Sequence, residues 1–547
     1  MKQLSTLGAL MLASMSLFGQ SLPFFEGVNY RGAFAPAPAA RWTDGWTNFT
    51  PQQTNYPATT VSVNGNITTN TTWTSNNVYL INDALVYVES GVTLTIEPGT
   101  IIRGTGKGTL IIERGAKIVA EGTATAPIVF TSNQPAGARD YGDWGGVVIC
   151  GAAPHNRPTG PNAEAEGGIG NAATQRGVFG GNSPEDSSGV LAFVRIEFCG
   201  ISLTPQANSE INGLSMYSVG SKTQIHHVQV SYCGDDSFEW FGGTVDAKYL
   251  FAYRTWDDDF DTDNGFRGRI QFAAALRDSK IADQSGSNGF ESDNDADGSL
   301  NTPRTAAIFS NVTLLGPIYQ NNPDSVNSLY RRALHIRRNS SIRVFNSIFT
   351  GFNFAGLNLD SRRTVANACN DSLIWRYNIL AGMGTDFRLS SGDTLCIANV
   401  NDVITWAMDA ARGTDTLPLS EDVLLTNPYN FNEPDLRPTA QSPAVTGMVD
   451  FAHPLLLPLL QTTGMEGLDK VNVTLFPNPA TEEVQLQTST SLGNQLVSLT
   501  DLSGRMVYAE THFLDMDVPV NISLQNIPAG VYHLQFAGQN KTLLVIK

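Results

Sequence analysis

The sequence predicts an all-β chain: a right-handed parallel β-helix followed by a small C-terminal β-sandwich. Three observations predict it. From Thr72 onward, short β-branched segments (86–88, 92–96, 101–102, 110–112, 118–119 and 128–130) are punctuated by Gly91, Gly99, Gly104, Gly115 and Gly122. Strands so short and so dense suit the turns of a coil better than a sandwich. Between Cys233 and Asp297 one phrase then returns three times: Asp236-Ser-Phe238-Glu239, Asp258-Asp-Phe260-Asp261 and Asn288-Gly-Phe290-Glu291. Its aromatics are 22 and 30 residues apart, a period typical of units that bury a face only by stacking on their neighbours. Finally, residues 471–547 alternate apolar and polar residues between turns, as in 484–487 and 496–499, in a length that suits about seven strands of a sandwich.

Taken in order, Met1-Lys2 and the apolar run 7–18 predict a secretory signal peptide over residues 1–19. Residues 20–71 form a predicted N-terminal extended cap. Within it, 24–57 is rich in Pro, Ala and aromatics and is expected to shield the open end of the coil. The β-helix itself is expected over 72–447. Arg103-Gly-Thr-Gly-Lys-Gly-Thr109 has the look of a phosphate loop but lacks the upstream glycine and the Ser/Thr after Lys107, so it is a turn. The Gly/Ala/Asn-rich interval 144–188 is expected to project as a long loop. Asn212-Gly-Leu214-Ser215 opens a series continued by Phe238, Phe260, Phe290, Leu334, Leu357 and Phe387, each pointing inward with its successor outward. Residues 435–445 look like the last turn. A linker over 448–469 precedes the final domain, 470–547.

The chain carries 51 acidic against 34 basic residues, a formal charge of −17. Nucleic acid is thereby excluded as a partner, since its sequence-independent affinity needs a basic surface. The only apolar run besides the leader, 454–460, is too short to span a bilayer and contains two prolines. Of the five cysteines, Cys199 and Cys233 end matching phrases and are expected either to bond or to stay as two buried thiols. Cys369 and Cys396 are a second candidate pair, which leaves Cys150 free.

The terminal segment resembles the sorting domain recognised by the type IX secretion system of Bacteroidota. The residues that carry this are Leu475-Phe-Pro-Asn-Pro-Ala480, Asp501-Leu-Ser-Gly-Arg505, Pro528-Ala-Gly-Val-Tyr532 and the closing Leu544-Val-Ile-Lys547. The resemblance implies export to the cell surface or exterior, removal of the domain, and release or attachment to surface lipopolysaccharide. The region 72–447 is similar to pectin-lyase-like right-handed β-helix proteins, through Gly91-Val-Thr-Leu-Thr-Ile-Glu-Pro-Gly-Thr100, Trp144-Gly-Gly-Val-Val-Ile149 and Gly234-Asp-Asp-Ser-Phe-Glu-Trp-Phe-Gly-Gly243. That resemblance implies an architecture and carries no catalytic residue onto this chain.

Stacking the repeats would set Asp236, Glu239, Asp258, Asp261, Asp263 and Glu291 in one acidic column. Carboxylates one strand spacing apart repel by about 3 kcal/mol at an effective dielectric near 20. Such a column favours raised pKa values or a bound cation, and oxygen-only ligands favour calcium. Asp293, Asp295 and Asp297 add the start of a calcium loop, although its twelfth position is Arg304 rather than Glu. One or more calcium sites are therefore expected here, against the alternative of a solvated acidic face. Trp240 and Trp256, beside the acids, are candidates for holding sugar rings, with core packing the alternative. The expected role is structural, adhesive or glycan-binding, with extracellular polysaccharide as a partner. The alternative is a polysaccharide lyase or glycoside hydrolase. Gly234-Asp-Asp236 is similar to the paired acids of polygalacturonase-type hydrolases, but neither Gly-His-Gly nor Arg-Ile-Lys follows.

Overall fold

The computed structural model describes residues 24–203, 210–319, 326–391, 396–446, 453, 455–456, 473–488, 493–501, 506–514, 518–536 and 539–546. The predicted signal peptide and most of the predicted linker lie outside them. Two compact units emerge, one spanning Phe24–Leu460 and one holding Gln461–Lys547. No helix among the described residues is long and apolar enough to cross a membrane.

The larger unit is a parallel coil. One wall is a ten-stranded sheet: β1 (Leu85–Val88), β2 (Thr109–Ile112), β3 (Val147–Cys150), β4 (Leu214–Tyr217), β5 (Phe238–Phe241), β6 (Phe260–Asp263), β7 (Phe290–Ser292), β8 (Arg332–Ile336), β9 (Ala355–Leu359) and β10 (Phe387–Leu389), in that spatial order. Every neighbour pairs parallel. The register runs Val86, Leu110, Val147, Leu214, Phe238, Phe260, Phe290, Leu334, Leu357, Phe387. This inward row is the series expected from sequence, extended by three coils at its start. The rings of Phe238, Phe260 and Phe290 stack 5.7 and 5.2 Å apart, and all three are fully buried.

The remaining walls belong to a seventeen-stranded sheet whose longest strands, Gly189–Glu197, Gln224–Ser231, Asp246–Tyr253, Arg269–Leu276 and Ile308–Leu315, each bend in the middle. The bend falls on a non-glycine residue in left-handed backbone: Phe193, His227, Tyr249, Phe272 and Asn311, with φ from +51 to +59. An L-residue held there costs about 1–2 kcal/mol. Ring stacking offsets it, since Phe193–His227, His227–Tyr249 and Tyr249–Phe272 centroids lie 4.3, 4.4 and 5.2 Å apart.

Several expectations are corrected. Residues 24–57 do not cover an open end. They lie lengthwise as a strap against the long strands, and from Arg31 onward run from the late coils back to the early ones. Arg31 meets Asp415 at 2.6 Å, the Ala33 amide donates to Thr313 Oγ1, Asn48 pairs with Gln229, and Tyr56 donates to Glu197 at 2.9 Å. Trp46, fully buried, meets the rings of Phe193 and His227 edge-on. The strap explains why strands such as Arg269–Leu276 are buried on both faces. The interval 144–188 does not project either. Ala163, Ala165, Ile169 and Phe179 fold back onto Ile111, Val148, Tyr217 and Phe241 on the outer side of the ten-stranded sheet. The parallel ladder begins at Val61–Ser62 and closes with Asp415–Leu417, while Asp435–Pro438, expected in the last turn, pairs antiparallel with Leu425–Asn427. Among the cysteines, Cys369 and Cys396 form the disulfide, with Cα atoms 5.9 Å apart. Cys199 and Cys233 are buried thiols, and the Cys233 thiol donates to the Asp236 carbonyl at 3.0 Å.

The smaller unit holds two antiparallel sheets, of three and four strands, closed on Val484, Leu486, Val497, Leu499, Leu534, Leu543 and Val545. That is the seven-stranded sandwich expected of residues 470–547.

Candidate metal centre

Side chains one position after the inward row point out of the ten-stranded sheet because strand residues alternate faces. Register places Ser215, Glu239, Asp261, Glu291, His335, Asn358 and Arg388 in one outward file. A second file stands two residues before the inward row, where the chain enters each strand: Asp236, Asp258, Asn288 and Arg332. Here each carboxylate accepts from the amide of the next coil. Asp236 Oδ1 takes the Asp258 N–H at 2.7 Å, and Asp258 Oδ1 takes the Asn288 N–H.

The two files close into three linked groups, each able to bring three carboxylate oxygens within 4.8 Å of one another: Asp235, Asp236 and Asp257; Asp236, Glu239 and Asp261; Asp258, Asp261 and Glu291. Five of these, Asp236, Glu239, Asp258, Asp261 and Glu291, are expected from the repeats. Asp235 and Asp257 are not, because they stand ahead of the recurring phrase, in the turn that leads into each strand. In the turn ahead of each strand alternation lapses. The doublets Asp235-Asp236 and Asp257-Asp258 were the available signal.

The other expected ligands lie outside these groups. Asp263 accepts from both nitrogens of Asn264, at 2.5 and 2.8 Å. Asp293 is held by Arg337 and Arg338 at 2.8 Å each. Asp295 accepts the amides of Asp297 and Ser299 at 3.1 and 2.9 Å, and Asp297 is exposed. The expected calcium loop is thus a turn whose Asp293 and Asp295 carboxylates already have donors. Trp240 is fully buried between Phe238 and Phe266 and presents no face to a sugar, so the core alternative holds for it. Trp256 is part-exposed and meets Tyr141 edge-on.

Burial, then neighbouring carboxylates, push Asp235, Asp236, Glu239, Asp258 and Asp261 well above the usual range. Burial, then Asp283 and Glu291, brings Asp257 up to about 7. Glu291 departs from the rest. Burial pushes it up, but His335 at 3.4 Å and then Arg337 outweigh this and leave it below its ordinary value. His335 and Arg337 belong to coils whose repeat phrase lacks an acid, so the recurring motif could not point to them. Asp259, next in chain to Asp258, turns inward instead and pairs with the fully buried Arg277 at 3.1 Å.

The donor set is oxygen throughout the three groups. Asp257 Oδ1 and Asp261 Oδ1 are buried and accept no hydrogen bond among the described residues, as are the amide oxygens of Asn212 and Asn288 beside them. Asn212 and Asn288 are 2 and 1% exposed. A buried oxygen without a donor costs stability, and a hard divalent cation would satisfy several at once. The residues present fit calcium. Asp236, Glu239 and Asp261, with Asp258 and Glu291 alongside, would hold it.

A family model described as pectate-lyase like beta helix domain matches residues 65–417, and one described as secretion system C-terminal sorting domain matches 474–547. No curated protein matches the chain significantly. Among solved structures, the enzymatically active domain of bacteriophage CBA120 tailspike protein 2 is similar over 85% of this chain and 72% of its own. The identity is 11% and the TM-score 0.26, a likeness that carries no argument.

Proposed function

Because the chain belongs to the pectate-lyase-like β-helix domain family, and its type IX sorting domain directs it to the cell surface or exterior, we propose that it is a calcium-stabilised β-helix making glycan contacts outside the cell. The observation that carries the reading is the linkage of three carboxylate groups through shared Asp236 and Asp261, with unpartnered buried oxygens at Asp257, Asp261 and Asn288. A divalent cation bound there lowers the raised pKa values and holds adjacent coils together. Glycan hydroxyls or carboxylates would complete its coordination from the outer side of the sheet. Thermal melting and calorimetry of the full chain test this. Calcium at millimolar concentration is expected to raise the melting temperature over a chelator control, and Asp236→Asn/Asp261→Asn is expected to lose that response. Equal melting with and without calcium, and no binding heat, would remove the proposal.

A second reading, polysaccharide cleavage, has one observation in its favour. Asp261 and Glu291, paired across β6 and β7, have pKa values pushed in opposite directions. A protonated carboxyl beside an ionised one is the arrangement of an acid and its partner in glycoside hydrolysis. Assays for new reducing ends or unsaturated product on pectin and alginate decide it, with loss of turnover in Asp261→Asn as the requirement.

A further inference from the structure

Both outward files of the ten-stranded sheet change sign partway along. One runs from Glu239, Asp261 and Glu291 through His335 and Asn358 to Arg388. The other runs from Asp236 and Asp258 through Asn288 to Arg332. At the basic end three guanidinium groups converge on one ring. The carbons of Arg331, Arg332 and Arg388 lie 5.8, 4.9 and 4.4 Å from the centroid of Phe354.

The ring is fixed by the backbone, because the amides of Phe354 and Ala355 both donate to the Arg331 carbonyl at 3.2 Å. Three cations around one aromatic ring gain from its quadrupole but repel one another. None of the three forms an ion pair within 4 Å among the described residues, and Arg332 Nε is buried without a hydrogen-bond partner. Burial pulls the Arg332 guanidinium below its ordinary value; Glu291 and Asp360 pull it up, and Arg388 and Arg331 add to the lowering. Arg337 and Arg338 on the same coils differ, being matched to Glu291 and Asp293. In a chain of formal charge −17, this arginine cluster is a local positive patch that attracts an anion.

We infer that Arg331, Arg332 and Arg388 around Phe354 form an oxyanion subsite for an acidic polysaccharide, taking a sulfate ester or a carboxylate. Guanidinium forks match the planar edge of a carboxylate and the face of a tetrahedral anion alike. The ring limits the arginines' freedom, so little order is lost on binding. The subsite shares the glycan-contact reading given above but does not depend on calcium.

The experiment is calorimetric titration of the full chain in the presence of a chelator, with dextran sulfate, polygalacturonate and neutral dextran as probes. Dextran sulfate, polygalacturonate or both are expected to bind, and neutral dextran is not. Binding of one probe alone assigns the subsite to sulfate or to carboxylate. Arg332→Gln and Arg388→Gln are each expected to weaken binding about tenfold, and together about a hundredfold. Arg388 is exposed on a three-residue strand, so its substitution leaves folding intact and remains informative if Arg332→Gln fails to fold. No binding of either anionic polymer, or binding unchanged in Arg388→Gln, overturns the inference. Survival of chelator-insensitive binding alongside absent calcium heat would sink the calcium reading alone.

Discussion

Asp257→Asn measures the electrostatic load of the acid files directly. In the folded chain, burial and then Asp283 and Glu291 raise this carboxyl from 3.8 to about 7. At 1.36 kcal/mol per pH unit, that displacement amounts to about 4 kcal/mol. Proton linkage sets the sign. A folded value above the unfolded one means the native state binds the proton more tightly. The contribution is therefore complete below pH 3.8 and is lost as pH rises through about 7. Asparagine keeps the acceptor that Ser285 Oγ reaches at 3.1 Å and removes the charge. In chelator, the substitution is expected to leave stability unchanged at about pH 3 and to raise it by up to about 4 kcal/mol at about pH 8. Because Asp235, Asp236 and Asp257 release protons as a set, the whole pH profile should flatten rather than shift at one step. Urea unfolding across that range reads it. Parallel pH profiles for the two proteins, or a less stable variant at about pH 8, would refute the reasoning.

Other perturbations separate the coil from its attachments. Phe260→Ala opens a cavity between Phe238 and Phe290 and is expected to cost about 3–5 kcal/mol in denaturant unfolding; a cost under about 1 would mean the ring stack is not structural. Trp46→Ala should cost a similar amount and expose residues 24–57 to protease before the coil is cut, whereas simultaneous cleavage would contradict a separable strap. Removing the disulfide with Cys369→Ser/Cys396→Ser reopens a loop of 27 residues and is expected to cost about 3.5 kcal/mol, read as a lower urea midpoint that reductant no longer changes.

Strands were legible in the sequence and turns were not. The inward row from Leu214 to Phe387 could be read because a coil forces one apolar residue per turn onto the same line. The file of Glu239, Asp261 and Glu291 came with it, since alternation turns the residue after each inward ring to the outer face. Outside the strands that logic fails. Asp235 and Asp257 sit in turns where alternation lapses, and Asp259 turns inward to Arg277 although the next residue, Phe260, is itself inward. Trp240 is a strand residue of inward parity, so its neighbouring acids were a poor guide to its surroundings.

Periodicity alone determined that this chain winds, which rings stack, and which acids share a file, because each is a local consequence of repeat length and strand parity. Only the folded coil decided where the strap lies, which cysteines bond, and where the files change from acid to arginine. Those outcomes depend on contacts between residues hundreds of positions apart, such as Arg31 with Asp415, and on Arg331, Arg332 and Arg388 meeting at Phe354 from different coils. Chain order encodes neither distance nor direction across coils, so such pairings exist only once the coils are stacked.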